Sequence, residues 1–438
     1  MKCSILIVAL TLVLCLTASH GLAELEKPLH SSRVLTLPEA YQLTLERSEK
    51  LGISREEIKI AEAQYWQAIS AVLPKVDFLI TQRTQDSVGG SIGGGDSGGG
   101  RKDSFQGRLR VTQTIFNGFR EFNTSAALQA QKRSQEATYR RSRELLYLDT
   151  SDLFYQIISL EKDLYLIQQI AQQLTARQED LIDRVTIGRS RNSELLAAET
   201  EQADNEATLE QVRGLLNASR ELLAFLLGLP SDRWSLNDTM PLPEVAKLDN
   251  YLWKTGERAD ITAAAETTTS AQRQVSASKG AFLPKVSAEA NWLALEDPER
   301  SQEWNILLTA EIPLFDGALR YQSLKVDQAR LRSSELNFSR VRRLAESEVR
   351  QSYSQFISSA RQYVSLQKGV ETARKNYEAQ QEDYRLGRAN NLDVLTSLLR
   401  YSSLRRRVSG LEFQTRSNLV ALQVAAGTPV IKEERPSP

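Results

Sequence analysis

Between Leu153 and Leu174 the apolar positions fall at Leu153, Ile157, Leu160, Leu164, Ile167, Ala171 and Leu174, in alternating steps of four and three. That spacing is the seam of a helix packed in a coiled coil. The period returns at Phe356, Tyr363, Leu366, Val370, Ala373 and Tyr377, with more aromatic character. No proline interrupts the chain between Gly118 and Pro230 or between Gly317 and Pro429. Each stretch is therefore predicted to be long helix, broken only near Gly188 and Gly387. A helix from about Arg320 to Leu386 spans roughly 100 Å at 1.5 Å per residue, far more than a globular core requires. Heptads alone would favour a filamentous, cytoskeletal-type coiled coil.

Four other stretches have period two. Val286, Ala288, Ala290, Trp292 and Ala294 alternate with Ser287, Glu289 and Asn291, and Phe105, Gly107, Leu109 and Val111 alternate with Gln106, Arg108, Arg110 and Thr112. Trp304, Ile306, Leu308, Ala310 and Ile312 do the same, and Val76, Phe78 and Ile80 begin a fourth run. One apolar and one polar face means strands, each of about ten residues, long enough to cross a bilayer when tilted. The glycine-rich tract 89–100 and the segment 295–303 are then hairpin loops.

The two kinds of pattern occur in the same order twice. "VLPKV" (72–76) and "FLPKV" (282–286) lie 210 positions apart, whereas "IFNG" (115–118) and "LFDG" (314–317) lie 199 apart. The tract 89–100, present in the first copy only, accounts for the eleven-residue loss. Thereafter "TIGRSRNSELL" (186–196) faces "RLGRANNLDVL" (385–395), and "LLGLP" (226–230) faces "AAGTP" (425–429), at the same offset. A register held over more than a hundred residues reads as duplication. The expected organisation is a leader at 1–23, repeat 1 over 24–230, a linker over 231–256, repeat 2 over 257–429 and a tail over 430–438.

The 438 residues include 55 Lys plus Arg against 55 Asp plus Glu, and a balanced charge gives no reason to expect a nucleic-acid partner. Lys2, the apolar run from Ile5 to Leu16, and Gly21-x-Ala23 form the layout of a secretory signal peptide, with cleavage expected after Ala23. Cys15 does not read as a lipidation site, because Leu14 stands where a small residue is needed. The only cysteines, Cys3 and Cys15, would leave with the leader, so no disulfide framework is expected. Beyond the leader no run of 18 apolar residues exists to form a spanning helix.

Four strands cannot close into a barrel, and in lipid every backbone N–H and C=O must be paired. If the strands cross a membrane, the subunit must share its barrel. Single-chain barrels begin at eight strands, so two copies are a minimum and three give twelve. The face carrying Arg108, Arg110 and Glu289 would then look into water, since those charges are costly against lipid. The alternative is a soluble four-stranded sheet capping a helical bundle.

At this point the residues resemble a known family. "ADITAAAETTTSAQRQVSASKGAFLPKVSAEANW" (259–292) and its earlier copy, the turns "LFDG" and "IFNG", and "YRLGRANNLDVL" (384–395) together look like the TolC family of outer-membrane efflux proteins, over almost all of the chain beyond the leader. The resemblance implies a mostly α protein with membrane β: a homotrimer whose twelve-stranded barrel in the outer-membrane lipid continues into a long α-helical periplasmic tunnel. It also implies a periplasmic adaptor and an inner-membrane pump as partners, in tripartite efflux or type I secretion. Pro74 and Pro284, with Gly118 and Gly317, then mark the crossings between tunnel helix and barrel strand.

The resemblance also places candidate functional residues. Gly188 and Gly387 would lie at the far turns, where glycine suits a positive φ. An acid six residues after the second of these glycines lines the constriction in the family; Asp393 holds that place and Glu194 the equivalent one in the first copy. A ring of such carboxylates favours cations, and mutual repulsion would raise their pKa values. The plainer reading makes both ordinary acids at a helix N-terminus. Thr396 stands where some members carry a second acid, and Ala389 where an arginine can lock the closed state. The turns Gly188, Arg189, Ser190 and Gly387, Arg388, Ala389 resemble the adaptor-docking tips, although these arginines also suit plain solvated turns.

An enzyme is the rival class the residues disfavour. Only His20 and His30 exist, no cysteine lies outside the leader, and no P-loop or glycine fingerprint appears, so thiol, histidine or zinc chemistry lacks its groups and no cofactor is expected. A structural envelope coiled coil or adhesin is the other rival. Met240 alone lies beyond the leader, which argues against a methionine-lined route for soft metal cargo.

Overall fold

Two helices of 67 residues each set the shape of the molecule. The computed structural model describes residues 33–86, 101–238, 246–295 and 304–428. The expected leader, the tract 89–100, the loop beyond Leu295, Met240 and the tail 430–438 lie outside the described residues. In chain order the elements are β1 (Arg33–Leu35), α1 (Leu37–Arg47), α2 (Glu49–Ser70), β2 (Lys75–Asp86), β3 (Arg101–Asn117), α3 (Arg120–Thr186), α4 (Asn192–Leu227), β4 (Trp234–Leu236), α5 (Leu248–Thr255), α6 (Ala259–Gly280), β5 (Lys285–Leu295), β6 (Trp304–Glu311), α7 (Leu319–Arg385) and α8 (Asn391–Ala425). At 1.5 Å per residue α3 and α7 are each roughly 100 Å long.

Beyond one end of these helices lies a four-stranded antiparallel sheet of order β2-β3-β5-β6. Its register follows the period-two pattern: Val76 pairs with Val111 and Phe78 with Leu109, Leu109 in turn with Trp292, and Trp292 with Trp304. Apolar partners thus meet on one face, which is how register is fixed when side chains alternate. On the other face Arg110 pairs with Glu289 at 3.6 Å, and Asn291 donates to Glu289 and to Asn305. Among the described residues the edge strands β2 and β6 have no second neighbour, and Phe78, Ile80, Ile306 and Leu308 are exposed.

The principal core sits part-way along the helices, where α1, α3, α4 and α8 converge on the short parallel pair β1–β4. Leu35, Phe154, Ile157, Leu223 and Trp234 are fully buried there, with Tyr41 edge-on to Tyr147 at 4.9 Å. Of the heptad seam read from sequence, Ile157, Ile167 and Leu174 are buried. Phe154, Tyr155, Leu166 and Ile170 are buried as well, because α3 packs against α2, α4, α6 and α8 and needs more than one apolar stripe. No described helix is long and apolar enough to cross a membrane.

Candidate functional site

Each long helix ends in the same way. Beyond α3 the N–H of Gly188 donates to the Val185 carbonyl (3.0 Å) and that of Arg189 to the Arg184 carbonyl (2.8 Å). Beyond α7 Gly387 donates to Tyr384 (3.1 Å) and Arg388 to Asp383 (2.7 Å). This paired closure requires a left-handed residue, and both glycines have φ +73°. The chain then reverses into α4 and α8, with Arg189, Ser190, Arg388 and Ala389 on the turns.

The two acids singled out by sequence occupy the third position of the helices that follow. Glu194 accepts a hydrogen bond from Ser190 Oγ at 2.8 Å. Asp393 closes a reciprocal cap: its N–H donates to Asn390 Oδ1 (2.9 Å) while its Oδ2 accepts the Asn390 N–H (3.2 Å). Its side chain is exposed, as is Thr396. A carboxylate here is favoured by the positive end of α8, so one chain gives Asp393 a local role that leaves its outer side open to solvent.

Sequence reasoning missed the group that ties the two turns together. The Tyr384 ring lies between Arg177 and Arg184, each guanidinium 4.7 Å from its centre. Asp180 reaches Arg184 at 3.0 Å and Arg177 at 3.6 Å. Burial pushes the Tyr384 hydroxyl above its ordinary pKa, and the two arginines pull it partly back. The spacing Arg177, Asp180, Arg184 spans one heptad of α3 and so falls on one face; that run of charge was the available signal. Beside it Ile170 and Leu174 pack on Leu395 and Leu398.

At the sheet end, Pro74 lies between α2 and β2 and Pro284 between α6 and β5, each closing the preceding helix. Gly118 and Gly317 lie between β3 and α3 and between β6 and α7, with φ +63° and +66°. Gly118 touches Gly280, whereas a Cβ on Gly317 would meet nothing within 4 Å. No cluster of three or more metal-ligating side chains occurs among the described residues.

The sequence profile of the family described as outer membrane efflux protein matches residues 40–229 and 255–428. The chain is 21% identical over 302 residues to the outer membrane efflux protein BepC of Brucella suis, covering 66% of this chain and 64% of that protein. It is 25% identical over 258 residues to the cation efflux system protein CusC of Escherichia coli O157:H7, covering 51% and 54%. The aligned stretches thus span less than two thirds of either relative. In fold, the CmeC outer membrane channel of Campylobacter jejuni superimposes with a TM-score of 0.80 at 17% identity, over 93% of this chain and 91% of that one.

Proposed function

The chain belongs to the outer membrane efflux protein family, and from that premise we propose that it is an exit duct. Three copies would close a twelve-stranded barrel in the outer membrane, and their helices would continue it as a tunnel across the periplasm. The observation that carries this reading is the continuity of one sheet, open at both edges and apolar on one face, with helices of roughly 100 Å. A sheet with bare edges is tolerated in lipid only when closed. The charged face with Arg110 and Glu289 then lines the water-filled passage.

In this reading the chain comprises a leader at 1–23, two repeats over 24–230 and 257–429, and a connection over 231–256. The turns at Gly188 and Gly387 form the periplasmic tip. Glu194 and Asp393, one of each per copy, would surround the narrowest passage. Arg189, Ser190, Arg388 and Ala389 would face a periplasmic adaptor coupled to an inner-membrane pump, which supplies the energy in tripartite efflux or type I secretion. No catalytic step is assigned to the chain.

Purified protein in planar bilayers tests the reading. Discrete conductance steps from a species whose detergent-corrected mass equals three chains are expected; a non-conducting monomer would end it.

A further inference from the structure

The polar face of the sheet departs most from its pattern in one layer. Strand alternation puts Leu79 on that face, between Phe78 and Ile80 on the apolar one. Leu79 stands opposite Arg108 on β3, and Arg108 stands opposite Leu293 on β5. Across three neighbouring strands the row therefore reads Leu, Arg, Leu. The next row on the same face, nearer the helices, consists of Asp77, Arg110, Asn291 and Asn305 and contains no leucine.

The two arginines also differ in how their charge is met. Arg110 lies 3.6 Å from Glu289 and opposite Asp77. Arg108 has no hydrogen-bond or ion-pair partner among the described residues, and an arginine cannot shed its charge. Leu79, Arg108 and Leu293 are each half-buried, so this guanidinium sits in a less watery setting, where its attraction for an anion is stronger than in bulk solvent. The ladder is disturbed at the same place: Gly107 pairs with Leu295 and Arg108 with Leu293, which leaves Ala294 as the extra residue of a bulge in β5. Bulges re-aim the side chains beside them and gather next to binding sites.

We propose that the row formed by Leu79, Arg108 and Leu293 binds amphipathic organic anions on their way through the barrel. The guanidinium takes a carboxylate, sulfate or sulfonate head through two parallel N–H···O bonds, and the flanking leucines cover part of the apolar body. A cation is repelled by Arg108, and a small hydrophilic anion gains only the head contact. Apolar side chains in a water-filled passage signal that something apolar covers them at times, and an unpaired arginine between them states the charge of that visitor. Binding has to stay weak enough for release, as in any conducting site. The inference rests on the duct reading above, which turns this face toward the lumen, and adds the chemistry of a cargo. Its sign is opposite to that of the carboxylates at the tip, so overall ion selectivity would mix the two; block from the barrel side reads this row.

The test is single-channel recording of the full-length protein with 1-octanesulfonate added on the barrel side, at a concentration that leaves a protein-free bilayer silent, and with inorganic sulfate as the hydrophilic comparison. Octanesulfonate should interrupt the current of the wild-type channel at lower concentration than sulfate does. Arg108→Gln, which keeps the length and removes the charge, should weaken that block about tenfold or more, the loss expected for a charge-assisted hydrogen bond. Leu79→Ser with Leu293→Ser leaves the arginine in place and should weaken block by octanesulfonate while leaving that by sulfate unchanged. Equal octanesulfonate block in wild type and Arg108→Gln overturns the proposal. Sulfate blocking as well as octanesulfonate overturns the amphipathic class. Unchanged octanesulfonate block in the double serine variant overturns the row as the site, even if Arg108→Gln fails to assemble. A wild-type protein that does not conduct defeats the duct reading and this inference together, whereas a conducting channel indifferent to octanesulfonate defeats this inference and leaves the duct reading standing.

Discussion

Gly118 and Gly280 meet backbone to backbone: a Cβ on Gly118 would lie 2.0 Å from the Gly280 carbonyl oxygen, and one on Gly280 would lie 2.2 Å from that of Gly118. Gly118 follows β3 and Gly280 ends α6, so this contact sets how closely the two helix–strand crossings approach.

Gly280→Ala is therefore expected to force that junction apart, at a cost of about 1–3 kcal/mol typical of overpacking. Gly410→Ala is the contrast, because in α8 a Cβ meets nothing within 4 Å and alanine favours a helix interior by about 1 kcal/mol. Thermal unfolding of detergent-solubilised protein should show opposite shifts in Tm. Shifts of the same sign and size would show that the contact does not hold the crossings.

A second prediction concerns acid. Arg258 is 2% exposed and bonds Asp260 at 2.7 and 3.0 Å, Glu348 at 2.8 Å and the Ala425 carbonyl at 2.9 Å. Burial pushes the Asp260 carboxyl up, but the hydrogen bonds and charge of Arg258 outweigh it and leave the pKa below the ordinary 3.8. A depressed folded pKa gives stability that is full above the unfolded value and lost as pH falls through the folded one. Unfolding midpoints should drop below about pH 4 in wild type, and this limb should flatten in Asp260→Asn. Asp260→Ala, which strips a partner from a buried charge, should cost about 3 kcal/mol at neutral pH. An unchanged acid limb in Asp260→Asn would locate the acid sensitivity elsewhere.

The ring between two guanidiniums gives a third. Tyr384→Leu removes both cation–π contacts, each about 0.5–1 kcal/mol when exposed and about 2 when desolvated. Amide exchange in the last turn of α7 should quicken by about tenfold for each 1.4 kcal/mol lost. Tyr384→Phe keeps the ring face and should exchange as wild type does. Equal protection in Tyr384→Leu and wild type would mean the stacking does not hold the turns together.

How much of this was legible follows from what each feature depends on. The strands and long helices rest on period, which is local, so β5 and β6 and the breaks after Thr186 and Arg385 appear where the pattern put them. The β1–β4 pair joins residues about 200 positions apart through only three residues each, too short for any period to register. Helix α5 fell inside what read as linker for the same reason. In the site, Gly188 and Gly387 were visible because a positive φ selects glycine. The Arg177–Tyr384–Arg184 stack was not, because it joins helices whose rotational register only the folded chain sets.

The last prediction separates charge from shape at Asp393. Its Oδ2 accepts the Asn390 N–H, and its own N–H donates back to Asn390, so alanine would damage the cap of α8 by about 1 kcal/mol while also removing charge. Asparagine is the cleaner change: its carbonyl oxygen can accept the same N–H at the same length, so the helix start survives and only the charge is lost. If three copies of Asp393 ring the proposed constriction, Asp393→Asn removes three carboxylates at once from one narrow layer. Block by a divalent or trivalent cation added on the periplasmic side should then fall by at least about tenfold, the effect of losing roughly 1.4 kcal/mol of binding. Asp393→Glu keeps the charge and should largely keep the block. Single-channel recording compares the three proteins, with unchanged unfolding temperature as the check that the cap is intact. Equal block in wild type and Asp393→Asn would return Asp393 to its local role at the start of α8 and move the constriction to another layer of the tunnel.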